Sequence, residues 1–304
     1  MIRQHHTDSN QNDGVEIVHK IGFMQGRLSP KVNGCIQAFP VQFWQSEFPL
    51  AQKIGFKVME WTLDQVDLYK NPLLTVDGRE LIKNLCARYS IEIPSLTGDC
   101  FMQAPFWKTS GRERIALEQD FIAIAGACKM VGITYIVVPL VDNRRLENSN
   151  QEHKLIEFLQ KYSPYFLANQ LKIIFESDFA PVKLAHFIDR LDHKIFGINY
   201  DIGNSAALGF KPQEEFALYG HRILNVHVKD RTLGGSTVAL GKGNANFTSV
   251  FDGLWKIKYQ GNFILQTARA ENDDHATHLV RYRDLTASWI ELLRKRLNES
   301  RVIQ

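Results

Sequence analysis

Four short apolar runs in the second half of the chain each stop on a polar side chain able to hold a metal. They are Leu171–Glu176 (LKIIFE), Phe196–Asp201 (FGINYD), Ile223–His227 (ILNVH) and Phe263–Gln266 (FILQ). Their last residues, Glu176, Asp201, His227 and Gln266, lie 25, 26 and 39 positions apart in turn. One strand plus one helix occupies about that length, and a parallel α/β barrel gathers the C-terminal ends of its strands on one face. Two carboxylates and an imidazole brought together there suit a divalent cation. A single strand-end acid commonly does no more than cap the next helix. Four polar stops on consecutive runs exceed that. Gln266 stands apart, because an amide offers an oxygen but cannot take up a proton.

The elements that must position these residues follow from the alternation of short apolar runs with longer amphipathic segments. Strands are predicted to end near Phe23, Glu60, Leu96, Pro139, Glu176, Asp201, His227 and Gln266. Helices are predicted over 49–54, 78–89, 112–131, 151–169, 181–191, 214–219, 247–257 and 276–297. Gly55, Gly132 and Gly261 sit where a left-handed residue would stop a helix before the next strand. Eight strands alternating with helices specify a (β/α)8 TIM barrel, an α/β fold, over 16–304 as a single domain. A doubly wound open sheet is the competing layout, but its G-x-G-x-x-G after the first strand is missing, and Met24–Pro30 (MQGRLSP) stands there instead. Residues 1–15 are polar and read as a short flexible N-terminal tail, whose His5 and His6 read as solvated.

The 304 residues are 44% hydrophobic and 23% charged, as in an ordinary globular enzyme. A net charge of +3, from 36 basic and 33 acidic residues, points to neither nucleic acid nor membrane. No apolar stretch approaches the roughly 20 residues of a membrane span, and the start has no apolar signal-peptide core. Cys35, Cys86, Cys100 and Cys128 form no C-x-x-C pair, which favours four reduced thiols and a cytoplasmic setting.

Several segments together resemble the xylose isomerase-like barrel superfamily of sugar and sugar-phosphate isomerases and epimerases, inosose dehydratases and endonuclease IV-type enzymes. They are Ile21–Pro30, Gly55–Trp61, Ile174–Glu176, Asp201–Asn204, Val226–Arg231, the glycine loop Leu240–Gly243, and Tyr259–Gly261 with Phe263–Leu265. The resemblance implies metal ligation by Glu176, Asp201 and His227, and by position Gln266. The ion would be Mn2+, Mg2+, Co2+ or Zn2+. Related 3-epimerases use two glutamates as acid and base on opposite faces of the substrate, and Gln266 departs from that pattern. Asn204 stands where those enzymes carry a histidine, and reads either as a sugar contact or as the cap of the next helix. Arg231 falls where they carry a substrate-binding arginine.

The expected activity is therefore a divalent-metal-dependent isomerisation or epimerisation of a sugar through an enediolate, with Glu176, Lys229 and Glu60 as catalytic candidates. Strand alternation turns Lys229 the same way as His227, unless it lies in a surface turn. Asp99 is a further acid near the same mouth. Arg27, Asn204, Arg231 and Arg269 are candidate substrate contacts, and the arginines favour a phosphorylated or otherwise anionic sugar. Gly241-Lys242-Gly243 could offer backbone amides to a phosphate. Trp61, Phe101 and Trp107 either pack in the core or stack on a sugar. Two alternatives stay open: dehydration of a keto-polyol, for which one base suffices, and a non-catalytic sugar-binding barrel. Abasic-site nuclease chemistry fits poorly, because no histidine follows the second or third strand. The expected partner is a small sugar or sugar phosphate, with no membrane or nucleic acid, and a homo-oligomer remains open.

Overall fold

The computed structural model describes residues 20–302. Eight parallel strands close into a barrel: β1 (Ile21–Met24), β2 (Val58–Thr62), β3 (Glu92–Thr97), β4 (Tyr135–Leu140), β5 (Lys172–Ser177), β6 (Phe196–Asp201), β7 (Ile223–Val228) and β8 (Asn262–Leu265). They run in the order β1-β8-β7-β6-β5-β4-β3-β2, with β8 closing onto β1 through Ile21↔Phe263 and Phe23↔Leu265. Each strand end falls within two residues of its predicted position. The reason is burial. Parallel barrel strands are covered by helices outside and packed side chains inside, so β1, β2 and β6 are buried at every residue. Such strands appear in sequence as largely apolar runs that stop on a polar residue at the mouth.

The predicted helices are all present, from Glu47–Lys53 to His275–Val302, and two short ones join them at the mouth, Asp99–Gln103 and Ile202–Leu208. A two-stranded antiparallel ribbon, Asp230–Arg231 with Thr237–Val238, also rises beyond β7. Gly55 and Gly132 take the left-handed backbone expected of helix stops, at φ +83° and +85°. Gly261 does not. Lys258, at φ +55°, turns the chain there, and a Cβ on Gly261 would lie 2.6 Å from the Leu224 carbonyl. That glycine serves close packing of one strand entry on another.

Trp61 and Trp107 are completely buried and Phe101 nearly so. Trp61 packs on Trp44 and Phe39, and Phe101 stacks on Phe121 at 4.3 Å. Of the two readings given to these rings, the packing one describes their surroundings. Residues 1–15, expected as a tail, lie outside the described residues. Among the described residues no helix is long and apolar enough to cross a membrane.

Candidate metal centre

Register brings the predicted ligands together. Asp201 of β6 pairs with His227 of β7, and Glu176 of β5 lies one strand further round. Ligand atoms of Glu176, Asp201 and His227 all lie within 4.8 Å of one another, and all three side chains are buried. Nδ1 of His227 is 3.0 Å from Glu176 Oε2 and 3.9 Å from Asp201 Oδ2. Gln266, directly after β8, joins them through Lys229, whose ammonium donates at 3.2 Å to both Asp201 Oδ2 and Gln266 Oε1. The ammonium thus sits between two of the four predicted ligands, where the surrounding oxygens already favour positive charge.

Beneath this cluster lies Glu60, with no exposed surface. Its carboxylate is 2.7 Å from His227 Nε2 and accepts from Ser95 Oγ at 2.6 Å, from Asn225 Nδ2 at 3.0 Å and from Thr97 Oγ1. A carboxylate behind a histidine in this way fixes the ring and leaves the other nitrogen facing the ligand site. Burial alone would raise the Glu60 pKa, but the charge and hydrogen bond of His227 overcome it and the carboxyl titrates below its usual range. Burial likewise disfavours the imidazolium, and Glu60 with Glu176 outweighs it, lifting His227 to about 10. Glu176 is held low by His227 against its burial, whereas burial leaves Asp201 raised. Two carboxylates and one imidazole nitrogen converge here, and an amide oxygen joins them across the Lys229 ammonium. The donor set fits a hard or borderline divalent ion.

Asn204 is the hub of the rim. The cap of the helix Ile202–Leu208 is Asp201, whose Oδ1 accepts from the Asn204 amide at 2.7 Å, so the capping role considered for Asn204 belongs to its neighbour. The Asn204 side chain donates to Glu176 Oε1 at 2.6 Å and accepts from Lys229 at 3.2 Å and Arg231 Nη1 at 2.8 Å. Arg231 spends its other nitrogens on the Gly235 carbonyl. Arg27 and Arg269 are placed differently. Arg27 donates to the carbonyls of Thr267 and Ile36, and Arg269 to those of Gly26 and Ser29. Both guanidiniums tie the loop after β1 to the loop after β8.

The glycine loop departs from its expected use as a phosphate cradle. The amides of Gly241, Gly243 and Ala245 all point to the chain's own Asp230 carboxylate, at 2.9, 2.9 and 3.1 Å. Asp99, at the mouth after β3, is held by Gln37 Nε2 at 2.6 Å. Burial pushes its carboxyl up to about 7 against that bond, with Asp64 and Glu176 adding to the rise and Arg27 opposing it.

Asn199 and Asn225 escaped assignment in the sequence. Asn199 Nδ2 lies 2.9 Å from Glu176 and 3.0 Å from His227 Nδ1, and its oxygen accepts from Asn225. Their signal was present, since each lies two residues before a ligand inside an otherwise apolar strand, and period two puts both on the ligand's side. Gln37 had no such signal, because it belongs to a loop and to no repeating pattern.

The chain is similar to known proteins over most of its length. Residues 48–294 match the family model described as Xylose isomerase-like TIM barrel. The chain is 25% identical over 252 residues to an L-ribulose-5-phosphate 3-epimerase, UlaE, of Escherichia coli, covering 79% of this chain and 88% of the relative. Among solved structures it resembles a xylose isomerase domain protein from Planctomyces limnophilus, with TM-score 0.70 and 15% identity, covering 91% of this chain and 99% of that one. It likewise resembles an L-ribulose 3-epimerase, with TM-score 0.70 and 14% identity, covering 92% and 97%. With most of its length matched by that model, this chain belongs to the xylose isomerase-like TIM barrel family.

Proposed function

We propose that the protein is a divalent-metal-dependent epimerase or isomerase of a sugar phosphate, working through an enediolate. The observation that carries this reading is the convergence of Glu176, Asp201 and His227, with Gln266 linked to them through the Lys229 ammonium, in a chain whose relatives are named sugar-phosphate epimerases. Glu176, Asp201, His227 and Gln266 would hold the ion, which would supply Lewis-acid polarisation of a substrate oxygen. Glu176, kept ionised by His227, accepts the proton from the adjacent carbon. Lys229 places positive charge beside the oxygen that becomes anionic. Asn204 and Arg231 bind hydroxyl or phosphate oxygens at the rim. Glu60, sealed beneath His227, acts by holding the imidazole and not by touching substrate.

Gln266 cannot return a proton, so the second transfer falls to another acid or to water. A one-base dehydration is the second reading, and that same amide is what favours it. The test is turnover of L-ribulose 5-phosphate by the Mn2+-loaded protein in D2O. Formation of the C3 epimer with deuterium at that carbon is expected, and a dehydrated product would favour the lyase. Glu176→Gln should lower kcat by at least ~100-fold, the scale of a lost general base. Full turnover in excess chelator would overturn the metal dependence, and no reaction of any kind would leave a binding barrel.

A further inference from the structure

Gln266 raises a question of polarity. The two arms of a glutamine amide are nearly identical in shape, yet one presents an acceptor and the other only donors. A cation needs the oxygen, and neither the size of the residue nor the packing around it selects that arm. The hydrogen-bond chain does.

Lys229 Nζ donates to Gln266 Oε1 at 3.2 Å. Gln266 Nε2 donates to Gln37 Oε1 at 2.7 Å. Gln37 Nε2 donates to Asp99 Oδ2 at 2.6 Å. The chain thus runs from a group that can only donate, through two ambiguous amides, to a carboxylate that can only accept while ionised. Arg27, another donor without acceptor capacity, also turns a nitrogen to Gln37 Oε1, at 3.4 Å. Reversing the Gln266 amide alone would set an NH2 group against the Lys229 ammonium and an oxygen against the Gln37 oxygen. Reversing Gln37 as well would set its oxygen against the Asp99 carboxylate. Gln266 and Asp99 are both about 94% buried, so water does not absorb such mismatches and each leaves a buried polar atom facing a like partner.

We infer that Asp99 and Gln37 are positioning residues that present the oxygen, and not the nitrogen, of Gln266 to the cation site. This rests on the metal reading above. It also gives the barrel a way to retain an oxygen ligand where its own carboxylate is missing. The negative charge lies two amides away, at the mouth after β3, and acts by fixing the direction of the chain.

A double-mutant cycle read by Mn2+ affinity, in calorimetric titration and by electron paramagnetic resonance at pH 8, tests this. Four proteins are compared: wild type, Asp99→Asn, Gln266→Glu and the double variant. In the wild-type background Asp99→Asn should weaken Mn2+ binding about tenfold, since the end of the chain no longer demands a donor. In the Gln266→Glu background both arms of residue 266 are oxygens. Gln37 must then turn its nitrogen toward that residue and its oxygen toward position 99, where asparagine can donate and aspartate cannot. There Asp99→Asn should leave Mn2+ affinity unchanged or improve it.

Equal loss in both backgrounds would mean that Asp99 merely supports the fold, and would overturn the inference. So would the absence of any loss in the wild-type background. A wild-type protein with no Mn2+ affinity would overturn the metal reading and this inference together, which separates the two failures. Gln37→Met, which cuts the chain at its middle, carries the same expectation in both backgrounds should Asp99→Asn not fold.

Discussion

Glu47 lies wholly buried at the start of the helix Glu47–Lys53, where its carboxylate receives the amide of Gly26 at 3.0 and 2.9 Å and that of Leu28 at 2.9 Å. It holds the loop that leads from β1 to Gln37. Burial raises its carboxyl from 4.5 to about 7, against the pull of those amides. The folded protein therefore keeps a proton on Glu47 over a pH range in which the unfolded chain has lost it. The stability linked to that proton is fully present below pH 4.5 and is lost as pH climbs through about 7. A difference of this size corresponds to ~3 kcal/mol at most. Relative to Glu47→Gln, which cannot titrate, the wild-type protein should lose up to that amount between pH 4.5 and 8 in urea unfolding with chelator present. Parallel stability curves for the two proteins would refute it. At this scale the ligands were legible and their support only partly so. Glu176, Asp201 and His227 stand out as polar stops to apolar runs, while Gln37 reaches Gln266 across 229 positions and Glu47 serves a loop 21 positions before it. Contacts of that kind leave no periodic trace.

The ribbon beyond β7 shows how an element can be built around one side chain. Asp230 has no exposed surface and gathers three amides of the Gly241–Ala245 segment, while the Arg231 carbonyl accepts from the Asn244 amide at 2.8 Å. A Cβ on Gly243 would meet Asp230 Oδ1 at 2.2 Å, so only glycine lets the loop close on the carboxylate. The same ribbon carries Arg231 to Asn204. Asp230→Asn preserves the shape but replaces one acceptor oxygen with a donor facing amides. It should cost ~2 kcal/mol, open the 240–245 loop to limited proteolysis, and raise KM more than it lowers kcat, because Arg231 loses its support. An unchanged melting temperature together with an unchanged cleavage pattern would sink this account. The barrel strands were readable because burial on both faces forces continuous apolar runs. The ribbon was not. Two-residue strands held by one buried acid have no pattern of their own, and the glycines that accommodate Asp230 looked like an anion cradle because the physics of a cradle is the same for an internal carboxylate.

For the whole molecule, the ligand set and the closure of the barrel are one problem. Glu176, Asp201, His227 and Gln266 come from four consecutive strands, and the last of these closes the ring against β1. Arg27 and Arg269 tie the two loops at that seam. No segment of the unfolded chain holds the four ligands together, so an ion bound by them binds the folded state and stabilises it by mass action. The cluster also buries the carboxylates of Glu60, Glu176 and Asp201 against His227 and Lys229, and a divalent ion that took His227 as a ligand would replace the proton on its imidazole with two positive charges. At an ion concentration 100 times Kd the gain is about 2.7 kcal/mol, or roughly 5 °C in melting temperature for a chain of this length. The shift should appear on moving from chelator to Mn2+ in the wild-type protein and disappear in Asp201→Asn, which removes a ligand shared by the ion and Lys229. An equal shift in that variant would place the stabilising ion elsewhere on the surface. The absence of a shift in the wild-type protein would mean that Lys229 and the His227 imidazolium balance the carboxylates at this mouth without an ion.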